Sequence, residues 1–141
     1  FYLDLKQYVN YWEKHGYHHT ASASMHYALR EALRMIYEEG LDNVHTRMRT
    51  NAKLLWDGLE EIGVTPFIPL EYRLPPLTTA QVPAGVDPHA LRAKLLNEYN
   101  IEIAGGFGAL VDKGGRIGLM GDSSRVENIT LFLATMKKLL G

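Results

Sequence analysis

The stretch LDNVHTRMRTNAKLLWDGLEEI, residues 41–62, carries the longest regular hydrophobic pattern in the chain. Its apolar residues recur at steps of three and four, which is the spacing of one face of an α-helix. These positions are Leu41, Val44, Met48, Ala52, Leu55, Leu59 and Ile62. We expect Asp42 to cap the helix, which would then run for about 20 residues. The stretch therefore predicts a long amphipathic helix whose apolar face packs against other parts of the chain.

Two shorter helices are predicted before it. Residues 2–14 have the same helical spacing, and Gly16 is expected to end that helix. The Ser/Thr-rich residues 20–24 are expected to cap a second helix, which runs to Glu39 and is closed by Gly40. Its apolar stripe consists of Met25, Ala28, Leu29, Ala32, Leu33 and Ile36. Together the second helix and the long helix present a wide apolar surface.

After Gly63 the helical spacing gives way to short β-type runs. Strands are predicted at 64–68, 77–82, 101–103 and 116–120. Pro66 places the first strand at a sheet edge. A helix from the N-cap Asp87 to about Asn97 separates the strand pairs, and a capping box over residues 124–127 opens a last helix. The order ααα-ββ-α-ββ-α predicts an α+β fold, with helices packed on one face of a small, mainly antiparallel sheet.

Length and composition limit the class of protein. The 141 residues fit one domain, 1–141, and the absence of cysteine excludes a disulfide framework and a thiol nucleophile. A net charge of −1 argues against nucleic-acid and anionic-membrane partners, and no apolar run is long enough for a transmembrane helix. Because the chain begins at Phe1 and not at Met, we expect a fragment of a longer protein. No targeting signal is recognised, so cytoplasm is the default expectation for its compartment.

The segment His15-Gly16-Tyr17-His18-His19-Thr20 combines three imidazoles with two hydroxyls. Three histidines suggest a metal site, but a structural zinc site needs further ligands at matching spacing, and the chain offers none. A second interpretation is a polar turn before a helix. A third is an anion site, because hydroxyls beside a helix N-terminus suit phosphate. The residues alone leave the last two open.

Two glycine-rich segments form a second group of candidates. Ala104-Gly105-Gly106-Phe107-Gly108 follows a predicted strand, where glycines make a tight turn or let the backbone approach a ligand. Arg116 follows Gly114-Gly115, and its planar guanidinium is suited to clamp a carboxylate with two hydrogen bonds. A surface ion pair is an equally good interpretation of this arginine. Arg73-Leu74-Pro75-Pro76 is taken as a loop that enters a strand and suggests no chemistry.

In order along the chain, seven blocks resemble the class V aminotransferases, and the alanine–glyoxylate/serine–pyruvate branch in particular. They are Tyr17-His18-His19-Thr20, Tyr27-Ala28-Leu29-Arg30-Glu31-Ala32-Leu33, Glu38-Glu39-Gly40-Leu41-Asp42-Asn43, Arg73-Leu74-Pro75, Val82-Pro83-Ala84-Gly85-Val86-Asp87, Ile101-Glu102-Ile103 with the Gly-Gly-Phe-Gly that follows, and Arg116-Ile117-Gly118-Leu119-Met120-Gly121. The resemblance runs over nearly the whole chain. It implies the C-terminal small domain of a fold-type I pyridoxal-phosphate enzyme.

The same resemblance implies roles for three residues. Tyr17 and Thr20 match residues that reach the phosphate of pyridoxal 5'-phosphate in the neighbouring subunit of a homodimer. Arg116 matches the arginine that holds the substrate carboxylate. The parent enzyme would exchange an amino group between alanine or serine and glyoxylate or pyruvate.

The cofactor and its Schiff-base lysine belong, in that family, to a large N-terminal domain. None of the chain's lysines has the Ser-x-Gln-Lys-like context of that residue; they are Lys6, Lys14, Lys53, Lys94, Lys113, Lys137 and Lys138. The chain by itself is therefore expected to have no catalytic residue and no activity. The alternatives are a stand-alone module that binds small carboxylates and a dimerisation module.

Overall fold

The computed structural model describes residues 1–141. They form two compact units, residues 1–40 and residues 41–141. The expectation that residues 1–141 make one domain stays a prediction.

The first unit contains two helices, α1 (Leu5–Lys14) and α2 (Ala23–Glu39). Asp4 caps α1 by accepting a 3.0 Å hydrogen bond from the Lys6 N–H, so the helix begins three residues later than predicted. His15 adopts the left-handed conformation after α1, with φ of 55°, and Gly16 donates its N–H to the Asn10 carbonyl. The predicted end of the helix is thus correct to one residue, with His15 in the strained position.

In α2 the predicted limits are confirmed. The chain enters the helix from Ser22 in extended conformation, although the Ser22 side chain makes no capping hydrogen bond. Gly40, with φ of 84°, ends it. Neither α1 nor α2 contains a buried residue. The apolar stripe of α2 is accordingly exposed, as Met25, Leu29, Leu33 and Ile36 illustrate.

The second unit contains three helices and a four-stranded sheet. Its elements are α3 (Leu41–Glu61), β1 (Thr65–Pro66), β2 (Leu77–Gln81), α4 (Pro88–Tyr99), β3 (Ala104–Gly105), β4 (Gly114–Gly118) and α5 (Val126–Leu140). The strand order is β1-β2-β4-β3, and every neighbouring pair is antiparallel. The predicted element order and α+β class are confirmed.

One continuous core holds the second unit together. Its fully buried residues come from α3, from the strands and from α4 and α5, with Leu55, Leu59, Leu95 and Ile129 at most 1% exposed. Each large aliphatic side chain buried in this way stabilises the fold by roughly 1.5–3 kcal/mol. Trp56 adds a polar link, since its indole N–H donates to the Thr78 hydroxyl at 2.8 Å. The C-terminal half of the long apolar stripe thus fixes α3 on the sheet.

Two predicted caps are wrong. The helix α3 begins at Leu41 directly after Gly40, so Asp42 lies in its first turn and does not precede it. The capping box over residues 124–127 does not form, because the buried Ser124 hydroxyl lies 3.2 Å from Asn51 Nδ2 on α3. The helix α5 follows Arg125 without a side-chain cap. A tertiary contact has replaced the local one in this case.

Strand limits differ from the predictions where helix ends compete for backbone groups. Val64 donates its N–H to the Leu59 carbonyl at the end of α3, so β1 begins at Thr65, and it contains two residues where five were predicted. Ile101 donates to the Leu95 carbonyl at the end of α4, so pairing of β3 starts only at Ala104 and not at 101–103. The fourth strand covers 114–118 and not 116–120.

The helix α4 starts at Pro88 as predicted. The Asp87 side chain accepts from the His89 N–H at 2.8 Å, which confirms Asp87 as its N-cap. The helix ends at Tyr99, two residues later than expected. None of the five helices combines the length and apolar character needed to cross a membrane.

Candidate functional site

Arg116 lies in the middle of β4, on the sheet face that points away from the core. It stands opposite Thr79 of β2 and Ala104 of β3. Its neighbour Ile117 is buried in the core, and side chains alternate along a strand, so Arg116 projects from the other face. Two antiparallel neighbours hold its backbone in place. The sheet therefore provides a rigid base for a half-buried guanidinium.

The Arg116 side chain makes one hydrogen bond within the chain. Its Nε–H donates to the Gly105 carbonyl at 2.9 Å. No carboxylate of the chain pairs with it, so the ion-pair interpretation from the sequence does not describe its contacts here. The terminal Nη1 and Nη2 groups have no partner within the chain. A guanidinium in this state offers two parallel N–H donors, the pattern that a carboxylate accepts.

Tyr17 and Thr20 lie in the segment that leads into α2. Their hydroxyl oxygens are 2.6 Å apart and both side chains are exposed. One hydroxyl donates to the other, so one hydroxyl hydrogen is free and the second becomes free when the mutual bond breaks. Two hydroxyls this close together can reach oxygens of the same anion. The geometry is compatible with the anion-site interpretation.

Two histidines of the same segment, His18 and His19, contact each other. His18 Nδ1 lies 2.6 Å from His19 Nδ1, and His18 Nε2 lies 3.1 Å from Gln7 Oε1. The His18 ring also stacks on Phe1 and Tyr8, with centroid distances of 4.4 and 4.8 Å. These contacts hold the imidazoles in an aromatic cluster. No group of three or more His, Asp or Glu side chains is placed to share a metal ion.

All seven lysines are exposed. Lys53 pairs with Asp57 on the surface of α3 at 2.5 Å, and Lys138 lies over the Tyr99 ring. Burial in an apolar pocket is one way in which a protein activates a lysine for Schiff-base formation. None of the seven lysines is buried.

Around Arg73 the structure shows a cleft that the sequence did not suggest. It has a volume of about 380 Å³ and is lined by apolar residues of β2 and the preceding loop together with Trp56. The Arg73 guanidinium lies 5.4 Å from the Trp56 ring centroid, and its Nε–H donates to the Ile68 carbonyl at 2.8 Å. The terminal nitrogens of Arg73 lie 3.3 Å from Glu60 Oε1, so the guanidinium at this cleft is already paired with a carboxylate.

The three predicted site residues fall into the two units. Tyr17 and Thr20 meet in residues 1–40, whereas Arg116 belongs to residues 41–141. Sequence analysis missed the Gly105 carbonyl as the partner of Arg116. No pattern of side chains signals a backbone acceptor, and only the antiparallel pairing of β3 with β4 reveals it.

No protein-family model matches the chain. The chain is 39% identical over 140 residues, 99% of its length, to an (S)-ureidoglycine–glyoxylate transaminase of Bacillus subtilis, of which it covers 34%. It is 37% identical over 143 residues to an alanine–glyoxylate aminotransferase of Drosophila melanogaster, covering 98% of this chain and 36% of the relative. A crystal structure of an alanine–glyoxylate aminotransferase from Nostoc sp. matches 99% of the chain with a TM-score of 0.90 and 46% identity, over 37% of that protein.

These similarities confirm the resemblance to alanine–glyoxylate and related aminotransferases. The chain spans about a third of the length of the curated relatives that it matches. It is therefore homologous to a part of these enzymes. The high TM-score shows that this part has the same fold.

Proposed function

We propose that this chain is the C-terminal part of a pyridoxal-phosphate-dependent aminotransferase. The reaction would move an amino group between an amino acid, alanine or serine, and a 2-oxo acid, glyoxylate or pyruvate. The observation on which the proposal rests concerns Arg116. Its side chain is fixed by a hydrogen bond to the Gly105 carbonyl, and no carboxylate of the chain forms an ion pair with it. Homology to transaminases supports this function over a stand-alone binding or dimerisation module.

In this proposal Arg116 binds the α-carboxylate, the group that every amino-acid donor and every 2-oxo-acid acceptor has in common. Because Nε is already bound to Gly105, the carboxylate is held by Nη1 and Nη2. Two parallel hydrogen bonds fix the orientation of the substrate as well as its position. Orientation matters because the bond that loses a proton must point at the reacting groups.

Tyr17 and Thr20 are the residues that would hold the cofactor phosphate. The 2.6 Å spacing of their hydroxyls and their exposure suit contact with an anion that comes from outside this segment. We place that phosphate in the neighbouring subunit of a homodimer. Pyridoxal phosphate, when bound, supplies the electron sink that amino-group transfer requires.

The lysine that carries the cofactor would lie in a large N-terminal domain outside this chain. The exposed, ordinary setting of all seven lysines supports that division. This chain would then contribute one wall of the active site. By itself it would bind substrate carboxylate weakly and transfer no amino group.

The test is Arg116→Lys in the full-length protein. Lysine keeps the positive charge but loses the planar pair of donors. We expect kcat/KM to fall about 10²-fold, which corresponds to roughly 2.7 kcal/mol of transition-state stabilisation. Thermal stability and cofactor content are expected to stay the same.

Arg125→Lys is the matched control, since Arg125 is an exposed arginine that pairs with Asp122. It should leave kcat/KM unchanged. If Arg116→Lys unfolds the protein and the folded remainder is fully active, Arg116 is a structural residue and the proposal is wrong.

A further inference from the structure

Gly105 lies between two arginines. On one side its carbonyl accepts from Arg116 Nε at 2.9 Å. On the other side, a Cβ at Gly105 would lie only 1.9 Å from Nη1 of Arg92, a residue of α4. The Arg92 guanidinium therefore packs directly against the Gly105 backbone. A side chain at position 105 would displace the Arg92 guanidinium from this position.

The pairing of β3 with β4 explains why the Gly105 carbonyl is available. Gly105 stands opposite Gly115, and the next residue, Gly106, donates its N–H to the Gly114 carbonyl at 3.2 Å. In an antiparallel ladder, hydrogen-bonded residue pairs alternate with pairs that are not hydrogen-bonded. The N–H and the carbonyl of Gly105 therefore point away from β4. The Arg116 side chain supplies the missing donor. The Gly105 carbonyl, which has no partner in the ladder, thus accepts a hydrogen bond from a functional side chain.

Arg92 is itself held by a chain of hydrogen bonds. Its Nη2 lies 3.0 Å from His89 Nδ1, and His89 Nε2 lies 2.9 Å from Asp112 Oδ1. Arginine has only donors, so His89 accepts at Nδ1 and donates its Nε2–H to Asp112. Asp112 belongs to the segment that joins β3 to β4. The helix α4 thus contacts the end of β3, at Gly105, through Arg92 and the segment that follows, at Asp112, through His89.

We propose that Arg92 is a positioning residue for Arg116. It supports the Gly105 peptide, whose carbonyl holds Arg116 Nε and thereby directs Nη1 and Nη2 at the substrate carboxylate. The inference rests on the proposed function of Arg116. It assigns to Arg92 no contact with substrate or cofactor.

The kinetic test is Arg92→Met in the full-length protein. Methionine is similar in length but has no donor, so His89 Nδ1 loses its hydrogen-bond partner and Gly105 loses the guanidinium that packs against it. An Arg116 side chain free to change rotamer binds less tightly, and we expect KM for the amino acid to rise about three- to tenfold with kcat nearly unchanged. Arg92→Lys keeps the charge and should give an intermediate KM. Lys94→Met, which removes an exposed charge from the same helix, should change nothing.

A structural readout accompanies the kinetics. In NMR spectra of the ¹⁵N-arginine-labelled full-length protein, the Arg116 Nε–H bonded to Gly105 should exchange slowly with water. Arg92→Met should accelerate that exchange by about tenfold, whereas Lys94→Met should not. A folded Arg92→Met protein with unchanged KM overturns the inference, whatever the exchange rate shows. Should Arg92→Met fail to fold, the same criteria apply to Arg92→Lys.

Failure of the two proposals can be told apart. If Arg116→Lys leaves kcat/KM intact, the proposed function fails and the positioning role falls with it. If Arg116→Lys has the expected effect and Arg92→Met has none, only the positioning role is wrong.

Discussion

Asn51 on α3 donates its side-chain N–H to the Ser124 carbonyl at 2.8 Å, across 73 positions of the sequence. Both residues are buried, and Arg47 donates to the same carbonyl at 2.9 Å. The contact fixes the start of α5 against the long helix. It also explains why Ser124 does not cap α5.

We expect Asn51→Ala to destabilise the protein by about 1–3 kcal/mol, because it leaves the buried Ser124 hydroxyl without its partner and opens a small cavity. Urea unfolding followed by circular dichroism measures this. Asn128→Ala is the control, since Asn128 makes a similar bond to the Ser123 carbonyl at the exposed surface. It should change stability by less than about 0.5 kcal/mol. Equal effects of both changes would contradict the assigned role of Asn51.

Gly114→Ala tests the packing of β4 against β2. An added Cβ would lie 1.9 Å from the Ala80 carbonyl oxygen, so backbone must move, and we expect a loss of roughly 1–3 kcal/mol. In Gly118→Ala, at the other end of the same strand, the nearest atom is the Met120 methyl at 3.5 Å. That change should be neutral or slightly stabilising. Thermal melting of the two variants measures this difference in stability, and equal melting temperatures would contradict it.

Removal of either hydroxyl of the Tyr17–Thr20 pair is expected to lower the affinity for the cofactor. Tyr17→Phe in the full-length protein removes one of two donors to a phosphate, and we expect the cofactor dissociation constant to rise about tenfold. Thr20→Ala should have an effect of similar size. Tyr37→Phe is the control, because Tyr37 is 88% exposed on α2. Fluorescence titration with pyridoxal phosphate measures all three, and unchanged affinity in both variants would show that the turn is only structural.

The first unit should respond to pH through Glu31. Arg34 holds Glu31 with two hydrogen bonds, and the pKa of this carboxyl is lowered from its ordinary value of 4.5 mainly by the bond to Arg34. A carboxyl whose pKa is lower in the folded state stabilises the fold above its unfolded pKa. That contribution is lost as the pH falls through the lowered value.

Glu31→Gln should therefore melt below the wild type at pH 7, and the difference should shrink as the pH falls from 4.5 through the lowered pKa of Glu31. The difference should be small because the pair is exposed. Glu13→Gln, a change on α1 at a glutamate without an arginine partner, is the control and should leave the melting temperature at pH 7 unchanged. A constant difference at all pH values would contradict the assignment.

The exposed apolar face of α2 predicts self-association of the chain. Leu29 and Leu33 are 58% and 56% exposed, and large apolar patches usually mark interfaces. We expect sedimentation at high micromolar concentration to show species larger than the monomer. Leu33→Lys should reduce them, whereas Leu131→Lys on α5, at a similarly exposed leucine, should have less effect. A monomer at all concentrations would be the contrary result.

Periodic patterns predicted the helices, their order and the fold class, because burial of an apolar face depends on spacing along the chain. The stripe that contains Leu55 and Leu59 illustrates this. The features that the sequence did not predict depend on contacts between residues that are far apart in the chain. Ser124 has a capping sequence but binds Asn51, and Gly114 appears in a loop-like context but belongs to a strand.

The candidate site was likewise predicted only in part. Resemblance to known enzymes pointed to Tyr17, Thr20 and Arg116, and their roles stay predictions. Neither resemblance nor residue pattern identified Gly105 as the acceptor for Arg116, because a carbonyl is present at every residue and carries no signal. Strand pairing alone brings the two within hydrogen-bond distance.

Both outer strands of the sheet are only two residues long. One contains Pro66, which has no N–H to offer, and in the other the Gly105 carbonyl is already bound by an arginine. A foreign strand that approaches either border meets too few free backbone groups to extend the sheet. The self-association expected from the exposed leucines of α2 should therefore not proceed by strand pairing at these borders.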